Sequence, residues 1–193
     1  MSRFFAYLDR LKLIRRWGLM RNIEQENDME HSMQTAMIAH GLAVLGNRRY
    51  GRSLNPETVV TMALYHDASE ALTGDLPTPV KYRNPEIKNA YQDIETRARQ
   101  RLCDMLPGDL RADFVPYLQP DESSEIWQLV KAADRLSAYI KCLTEEKLGN
   151  GEFAKAKETI LESLKANPLP EVRDFLAEFV PSYTLTPDEL SRG

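Results

Sequence analysis

The chain has 193 residues, of which 42% are hydrophobic and 28% charged, and its formal net charge is −4 at pH 7. This composition is ordinary for a soluble globular protein, and the length suits a single domain over residues 1–193. An acidic chain without a long basic run is not expected to bind nucleic-acid polymers, and no apolar run approaches the roughly 20 residues of a membrane helix. The charged start also lacks the apolar stretch of a signal peptide, so we expect a cytoplasmic protein with no membrane partner.

Apolar residues recur at helical spacing over residues 3–17, which predicts an amphipathic helix ending near Gly18. Arg15, Arg16 and Trp17 would lie in its last turn. Together with Arg21, the two arginines form a short basic cluster that suits one small anion.

Asn27 is followed three residues later by Glu30, which is the spacing of a capping box. This predicts a helix from about residue 28 to Leu45, stopped by Gly46, with His31 in its first turn. His40 lies nine residues beyond His31, about 180° around the same helix. We therefore interpret His40 as a structural histidine in the packed middle of the helix.

Asn55 and Pro56 predict the start of a helix that carries an apolar run up to His66, Asp67 and Glu70. At about 100° per residue these three side chains share one face. The following segment, residues 73–79, contains one glycine and two prolines and is predicted to be a stiff loop.

Asn84 and Pro85 predict a long helix to about Leu106, after which a short helical piece precedes Pro116. Another long helix is predicted from about Ser124, followed by helices over about residues 152–166 and 170–180 and a capped turn at 186–189. No alternating strand or internal repeat is found. The predicted fold class is all-α, with six to eight helices and no sheet.

Cys103 and Cys142 lie in separate helical patterns without a CxxC spacing. We interpret both as small buried hydrophobic residues in a reducing compartment.

A neutral imidazole and a carboxylate together suit a divalent transition metal, so His66 and Asp67 are candidate ligands. His31 is the better of the two remaining histidines to join them. Asp134, on the edge of an apolar helical stripe, is costly to bury unless it is paired or bound to a metal. Pairing with Lys131 or Arg135 on a solvated edge fits the same spacing, so from the residues alone both interpretations stay open.

Three further candidates also have structural interpretations. Glu70 could be a surface carboxylate at a helix end, Arg16 a solvated helix end and Trp17 a core anchor.

The ordered set of His31, then His66 and Asp67, then Asp134 in an all-α chain resembles the HD-domain superfamily of metal-dependent phosphohydrolases. Within that superfamily, nine short segments resemble the bacterial HD-domain 5′-deoxynucleotidases; they are residues 11–14, 16–17, 19–22, 30–32, 65–70, 73–82, 138–139, 141–143 and 179–182. The resemblance covers nearly the whole chain, and only residues 99–125 and the tail beyond 186 carry little of it.

This resemblance implies a homodimeric cytoplasmic phosphomonoesterase that removes the 5′-phosphate from deoxyribonucleoside monophosphates. It implies one divalent cation, cobalt first, with manganese, copper or zinc as alternatives. By position, the implied metal ligands are His31, His66, Asp67 and Asp134. All of these except His66 are also implied to contact the substrate.

For the substrate, the resemblance implies that Arg16 orients the phosphate and that Trp17 helps to form the pocket. The nucleotide and sugar side is implied to be lined by Asp75, Leu76, Pro77 and Thr78. We expect the proline-containing loop beside Trp17 to exclude a 2′-hydroxyl.

The expected mechanism is in-line attack by water whose pKa the metal lowers from about 16 toward 7. Arg16 would hold charge on the equatorial oxygens while Glu70 or Asp75 handles protons, and the sequence leaves the choice between these two carboxylates open.

Three other functions stay open at this point. A two-metal phosphodiesterase would need more histidines than this chain has. A hydrolase of deoxynucleoside triphosphates or guanosine tetraphosphate would need more cations than Arg15, Arg16 and Arg21. A non-catalytic nucleotide-binding module could lose a ligand, yet all four are present.

Overall fold

Helices make up the regular structure of residues 1–81 and 83–191, which are the residues that the computed structural model describes. The α-helices are α1 (Phe4–Leu8), α2 (Asp28–Tyr50), α3 (Pro56–Tyr65), α4 (Glu70–Thr73), α5 (Thr78–Lys81), α6 (Pro85–Met105), α7 (Arg111–Leu118), α8 (Glu125–Lys147), α9 (Ala154–Lys165), α10 (Pro170–Glu178) and α11 (Pro187–Leu190). Short 3-10 helices cover Asp9–Leu13, Gly151–Phe153 and Val180–Thr184. Tyr82, in one of the segments behind the family resemblance, lies outside the described residues.

The predicted all-α class is confirmed. Within the described ranges, β pairing is limited to one isolated bridge between Arg15 and Asn27. Seven of the helices in those ranges have eight or more residues, which agrees with the predicted six to eight. No helix in the described part of the chain is both long enough and apolar enough to cross a membrane.

Helix starts follow the predicted caps. The Asn27 side chain accepts hydrogen bonds from the backbone of Met29 and Glu30, and the Glu30 side chain bonds back to the Asn27 N–H, which completes the capping box. The Asn55 side chain caps α3 by accepting from the backbone N–H groups of Glu57 and Thr58, with Pro56 at the first helical position. These local contacts set where α2 and α3 begin.

The main core forms where α2, α3 and α8 pack together and α9 and α10 cover them, with Leu42, Val59, Leu129 and Leu136 among its fully buried members. A smaller core joins α1, α6 and α7 around Phe4. Cys103 and Cys142 are both buried and free, as predicted. The three central helices are the ones that carry, or directly precede, the candidate metal ligands.

The predicted N-terminal helix to Gly18 is wrong at its C-terminal end, because α1 stops at Leu8 and the 3-10 helix at Leu13. Residues 14–16 instead run alongside residues 26–28: the Arg16 N–H donates to the Glu26 carbonyl at 3.1 Å, and the Asp28 N–H donates to the Ile14 carbonyl at 3.2 Å. These long-range bonds replace the helical bonds that the apolar periodicity predicted.

The predicted stop of α2 at Gly46 is also wrong, because the helix continues to Tyr50 and ends at Gly51 with a left-handed φ of 66°. Gly46 therefore lies inside the helix, where a Cβ would approach Arg52 Cδ to 3.0 Å. His40 is exposed, so the prediction that it sits in the packed middle is wrong as well.

The helix predicted to carry His66 and Asp67 ends one residue earlier, at Tyr65. Tight-turn hydrogen bonds follow, including one of 2.9 Å from the Glu70 N–H to the Asp67 carbonyl, before α4 begins at Glu70.

The loop prediction for residues 73–79 is wrong at its end, because Thr78 opens the short helix α5, whose first turn tolerates the proline at 79. The short helix α7 likewise continues past Pro116.

Candidate active site

Donor atoms from three parts of the chain converge beside the main core. His31 Nε2, on α2, lies 3.0 Å from Asp134 Oδ1, on α8, and 3.8 Å from Asp67 Oδ2. His66 Nε2, in the turn after α3, lies 3.0 Å from Asp67 Oδ2 and 3.9 Å from Asp134 Oδ1. Both imidazoles are fully buried, while the two carboxylates keep slight exposure. The donor atoms of His31, His66 and Asp134 all lie within 4.8 Å of one another, so these three side chains could hold one metal ion, with Asp67 beside them.

The ring of His66 is oriented by a backbone carbonyl of the preceding helix α3. Its Nδ1 lies 2.7 Å from the Ala63 carbonyl oxygen, and because that oxygen can only accept, Nδ1 must carry the proton. In the neutral form of this ring, Nε2 then presents a lone pair. It is buried and makes no well-aligned hydrogen bond within the described residues, although the Asp67 carboxylate lies beside it.

His31 is oriented through a side-chain relay. The Ser137 hydroxyl donates to Gln34 Oε1 at 2.6 Å, so it accepts from Nδ1–H of His31 at 3.1 Å. The Nε2 lone pair of His31 then faces the Asp134 carboxylate. An imidazole lone pair directed at a carboxylate is unfavourable unless a proton or a cation lies between them, and a cation that suits this set of donors is a divalent transition metal.

Protonation equilibria in the site favour the ligand forms of three of these side chains. Burial, together with the Arg16 charge, lowers the pKa of His31. Burial opposes ionisation of Asp134, but Lys131 and His31 outweigh it and lower the pKa of that carboxyl well below its usual range. The pKa of Asp67 is lowered too, because His66 outweighs its burial.

His66 responds in the opposite direction. Burial opposes its charge, but the Asp67 carboxylate prevails and raises the pKa of His66. A proton on Nε2 therefore competes with a cation for the same place, so cation binding should release a proton.

The sequence left open whether Asp134 lies in the candidate site or pairs with a neighbouring cation, and the structure shows both contacts. Asp134 contacts His31 and also pairs with Lys131 one helical turn earlier on α8. The carboxylate bridges the buried imidazole and an exposed cation, so its pairing with Lys131 does not remove it from the site.

Arg16 lies directly beside the candidate ligands. Its Nη1 is 3.3 Å from Asp67 Oδ2 and 3.6 Å from Asp28 Oδ1, and its Nε is 3.4 Å from Glu26 Oε2. Burial opposes its charge, but the surrounding carboxylates prevail and raise its pKa. The guanidinium is thus a permanent cation next to the ligand cluster, which suits an anionic substrate group.

A second group of carboxyls lines the same region. Burial, followed by the charges of Asp67, Asp28 and Asp75, raises the pKa of Glu70 well above its usual range. Burial raises the pKa of Asp28 to about 6 and also raises that of Asp75. A raised pKa favours the protonated form of a carboxyl, which is the form that a general acid requires.

Two of these neighbours, Asp28 and Glu26, were missed by the sequence analysis. Asp28 is completely buried although it occupies the first position of α2, where an acidic residue is ordinarily explained by the helix dipole. No local signal distinguishes it from such a residue.

The other predicted site residues are placed as follows. Trp17 is half-buried, donates its indole N–H to Glu26 Oε2 at 3.1 Å and packs on Phe153 with ring centroids 5.2 Å apart. Residues 75–77 are half-buried and Thr78 is exposed. Arg15 and Arg21 are exposed, so of the predicted basic cluster Arg16 is the member buried against the candidate ligands.

A cleft of about 310 Å³ opens beside His66 and Asp67. In the part of the chain that the structure describes, four cations line it, namely Lys81, Lys88, Arg99 and Lys131. Three carboxylates, Asp67, Glu95 and Glu122, line it as well. Sequence spacing did not predict this cleft, because its residues come from the turn after α3, from α5, α6 and α8, and from the segment before α8.

The chain matches the family model described as 5′-deoxynucleotidase YfbR-like over residues 3–183. A 5′-deoxynucleotidase of Vibrio cholerae is 52% identical over 195 residues, which cover 98% of both chains. One from Yersinia pestis is 51% identical over 192 residues, covering 99% of this chain and 98% of the relative.

Solved structures share the fold at lower identity. An HD-domain phosphohydrolase from Listeria innocua superposes with a TM-score of 0.81 at 21% identity, covering 98% of this chain and 92% of that one. The HD phosphohydrolase DatZ of cyanophage S-2L, bound to dA and one catalytic Zn²⁺, superposes with a TM-score of 0.64 at 20% identity, covering 93% and 95%.

Proposed function

Because this chain belongs to the YfbR-like 5′-deoxynucleotidase family, we propose that His31, His66, Asp67 and Asp134 hold the divalent cation with which it works. The enzyme is a metal-dependent phosphomonoesterase that hydrolyses deoxyribonucleoside 5′-monophosphates to deoxyribonucleosides and phosphate. The convergence of two imidazole lone pairs on two carboxylates supports the ligand assignment.

A bound cation supplies Lewis-acid activation of a water and of a phosphoryl oxygen. The zinc-containing cyanophage enzyme supports a single ion in this fold. We propose Co²⁺ as the most effective ion in vitro, with Mn²⁺, Cu²⁺ or Zn²⁺ as alternatives. All four suit imidazole and carboxylate donors.

We propose that Arg16 binds the phosphoryl oxygens of the substrate. Its guanidinium lies 3.3 Å from Asp67, so an anion bound near Asp67 also lies within reach of Arg16. A planar guanidinium can form two parallel hydrogen bonds to a phosphoryl group, and those bonds strengthen as charge develops in the transition state.

Glu70 is proposed as the proton donor to the leaving 5′-oxygen, with Asp75 as a second carboxyl beside it. Glu70 is buried, and its raised pKa favours the protonated form that a general acid requires. His31, Asp67 and Asp134 are proposed to contact the phosphate as well as the cation.

The nucleoside is proposed to lie along Asp75, Leu76, Pro77 and Thr78, with Trp17 closing the other side. The backbone of this segment is restrained by its prolines, and a rigid wall can reject a 2′-hydroxyl that finds no partner. A single domain over residues 1–193, a homodimer and a cytoplasmic location remain predictions that the family resemblance supports.

The function is tested by measuring phosphate release from ribo- and deoxyribonucleoside mono-, di- and triphosphates, with and without added Co²⁺ or Mn²⁺. We expect turnover of deoxyribonucleoside monophosphates only when a cation is present. Equal turnover of ribo- and deoxyribonucleotides would refute the sugar-excluding wall alone. Preferred hydrolysis of triphosphates or of guanosine tetraphosphate would refute the monophosphate assignment, and binding without hydrolysis would indicate a non-catalytic module.

Glu70→Gln tests the proton donor. An acid matters most when the leaving group is poor, so kcat for a deoxyribonucleoside monophosphate should fall by about 10²-fold or more, while kcat for p-nitrophenyl phosphate falls much less. Steady-state kinetics on both substrates checks this, with Asp75→Asn in parallel. An equal loss on the two substrates would instead indicate that Glu70 acts as a base toward water.

A further inference from the structure

The segment that presents Arg16 and Trp17 is held by residues far from it in sequence. Residues 14–16 lie antiparallel to residues 26–28, joined by the backbone bond from Arg16 N–H to the Glu26 carbonyl and by the bridge between Arg15 and Asn27. Between these two short stretches the chain forms a loop, and Trp17 begins it.

Trp17 has a backbone conformation that a bulky residue adopts at a cost in free energy. Its φ is 58°, in the left-handed region, which non-glycine residues rarely occupy without support from their surroundings. The reversal turns the indole toward Glu26 and Phe153. Whatever holds this turn therefore also determines where Arg16, the preceding residue, can point.

One carboxylate oxygen contacts both side chains. Glu26 Oε2 accepts the indole N–H of Trp17 at 3.1 Å and lies 3.4 Å from Nε of Arg16. The Glu26 side chain is 13% exposed and that of Arg16 is 14% exposed, so solvent screens this ion pair only weakly. Nη1 of Arg16 is directed at Asp67 and Asp28, so the guanidinium is held from two sides.

Glu26 is itself anchored through its neighbours. The backbone N–H groups of Ile23 and Glu24 donate to the fully buried Glu145 carboxylate, each at 3.0 Å. Lys141 bonds to both the Glu24 carbonyl and Glu145. The main chain just before Glu26 is thus attached to α8.

We infer that Glu26 is a positioning residue of this enzyme, which sets the angle of Arg16 toward the phosphate and the place of Trp17 beside the sugar through a single carboxylate oxygen. The inference rests on the proposed roles of Arg16 and Trp17. Glu26 acts through these two side chains, and the negative charge and the acceptor oxygen serve different partners. The charge holds Arg16, whereas the oxygen holds the indole.

Two variants separate these contributions. Glu26→Gln removes the charge but keeps an acceptor for the Trp17 indole, while Glu26→Ala removes both. Glu24→Gln is the matched control, because its exposed side chain lies two residues away in the same segment and it undergoes the same change of charge. For each variant, kcat and KM are measured on deoxy- and ribonucleoside monophosphates, and the rise in Tm is measured on adding Co²⁺. The ¹⁵N–¹H resonance of the Trp17 indole is recorded as well. That resonance is assigned with the variant Trp127→Phe, which leaves Trp17 as the one tryptophan of the chain.

We expect Glu26→Ala to lower kcat/KM by about 10²-fold, since displacements near 1 Å in an active site have effects of this size. Its preference for deoxyribonucleotides should fall, and its indole resonance should move toward that of a solvent-exposed tryptophan. Glu26→Gln should regain the deoxy preference and most of the indole shift but keep a lowered kcat. Glu24→Gln should match the wild type, and all variants should keep the Tm rise caused by Co²⁺.

Retention of kcat/KM within about twofold in Glu26→Ala would overturn the inference. So would a loss of activity in Glu26→Ala that is accompanied by loss of the Co²⁺-dependent Tm rise, because the residue would then support the fold of the site in general. If the wild type fails to hydrolyse deoxyribonucleoside monophosphates, the proposed function fails, and the indole resonance of the two variants decides the inference alone.

Discussion

Asp67→Ala is expected to abolish nearly all phosphate release while leaving the helical fold intact. Asp67 Oδ2 lies 3.0 Å from His66 Nε2 and 3.3 Å from Arg16 Nη1, so its loss removes one proposed ligand and one of the carboxylates that contact Arg16. Metal catalysis lowers the activation free energy by several kcal/mol. Since about 1.4 kcal/mol corresponds to a tenfold change in rate, kcat should fall by about 10³-fold or more.

A measurement independent of turnover accompanies this prediction. An ion that binds only the folded state raises Tm, so the wild type should be stabilised by added Co²⁺ and Asp67→Ala should be stabilised much less. His40→Ala is the matched control, because His40 is exposed on the same helix as His31. Full activity of Asp67→Ala in a cation-replete assay would contradict the proposed ligand set.

Arg16→Ala is expected to produce the second large loss, about 10²- to 10³-fold in kcat/KM, because charge on the phosphoryl oxygens would lose its partner in a poorly solvated site. Arg16→Lys should recover only part of the loss, since an ammonium group cannot form the paired hydrogen bonds of a guanidinium. Inorganic phosphate should inhibit both variants more weakly than the wild type.

The control for Arg16 is its neighbour. Arg15→Ala removes one positive charge from an exposed side chain of the same segment, while the backbone bridge of Arg15 to Asn27 can persist. Its kinetics should resemble the wild type. If Arg15→Ala lost as much activity as Arg16→Ala, the loss would reflect the general charge of the segment and the assignment of Arg16 would be wrong.

Features encoded by neighbouring residues could be predicted from the sequence. The side chains of Asn27 and Asn55 accept hydrogen bonds from backbone N–H groups two or three residues away, so the sequence predicts the starts of α2 and α3 correctly. His31, His66 and Asp134 were grouped by resemblance, and the structure brings their donor atoms within 4.8 Å of one another.

Features that depend on distant contacts could not be predicted in this way. Residues 14–17 continue an apolar period of helical spacing, yet their backbone bonds to residues 26–28. Asp28 is a buried neighbour of Arg16 only because that segment folds back over the start of α2. Gly46, which the sequence predicts to stop the helix, lies within it, and a Cβ there would approach Arg52 Cδ to 3.0 Å.

The attachment of the Glu24 backbone to Lys141 and Glu145 has a mechanical consequence. Both residues lie on α8, the helix that also carries Asp134. One proposed ligand and the segment that carries Arg16 therefore both depend on the position of α8. A substitution that displaces α8 should weaken cation binding and phosphate binding together.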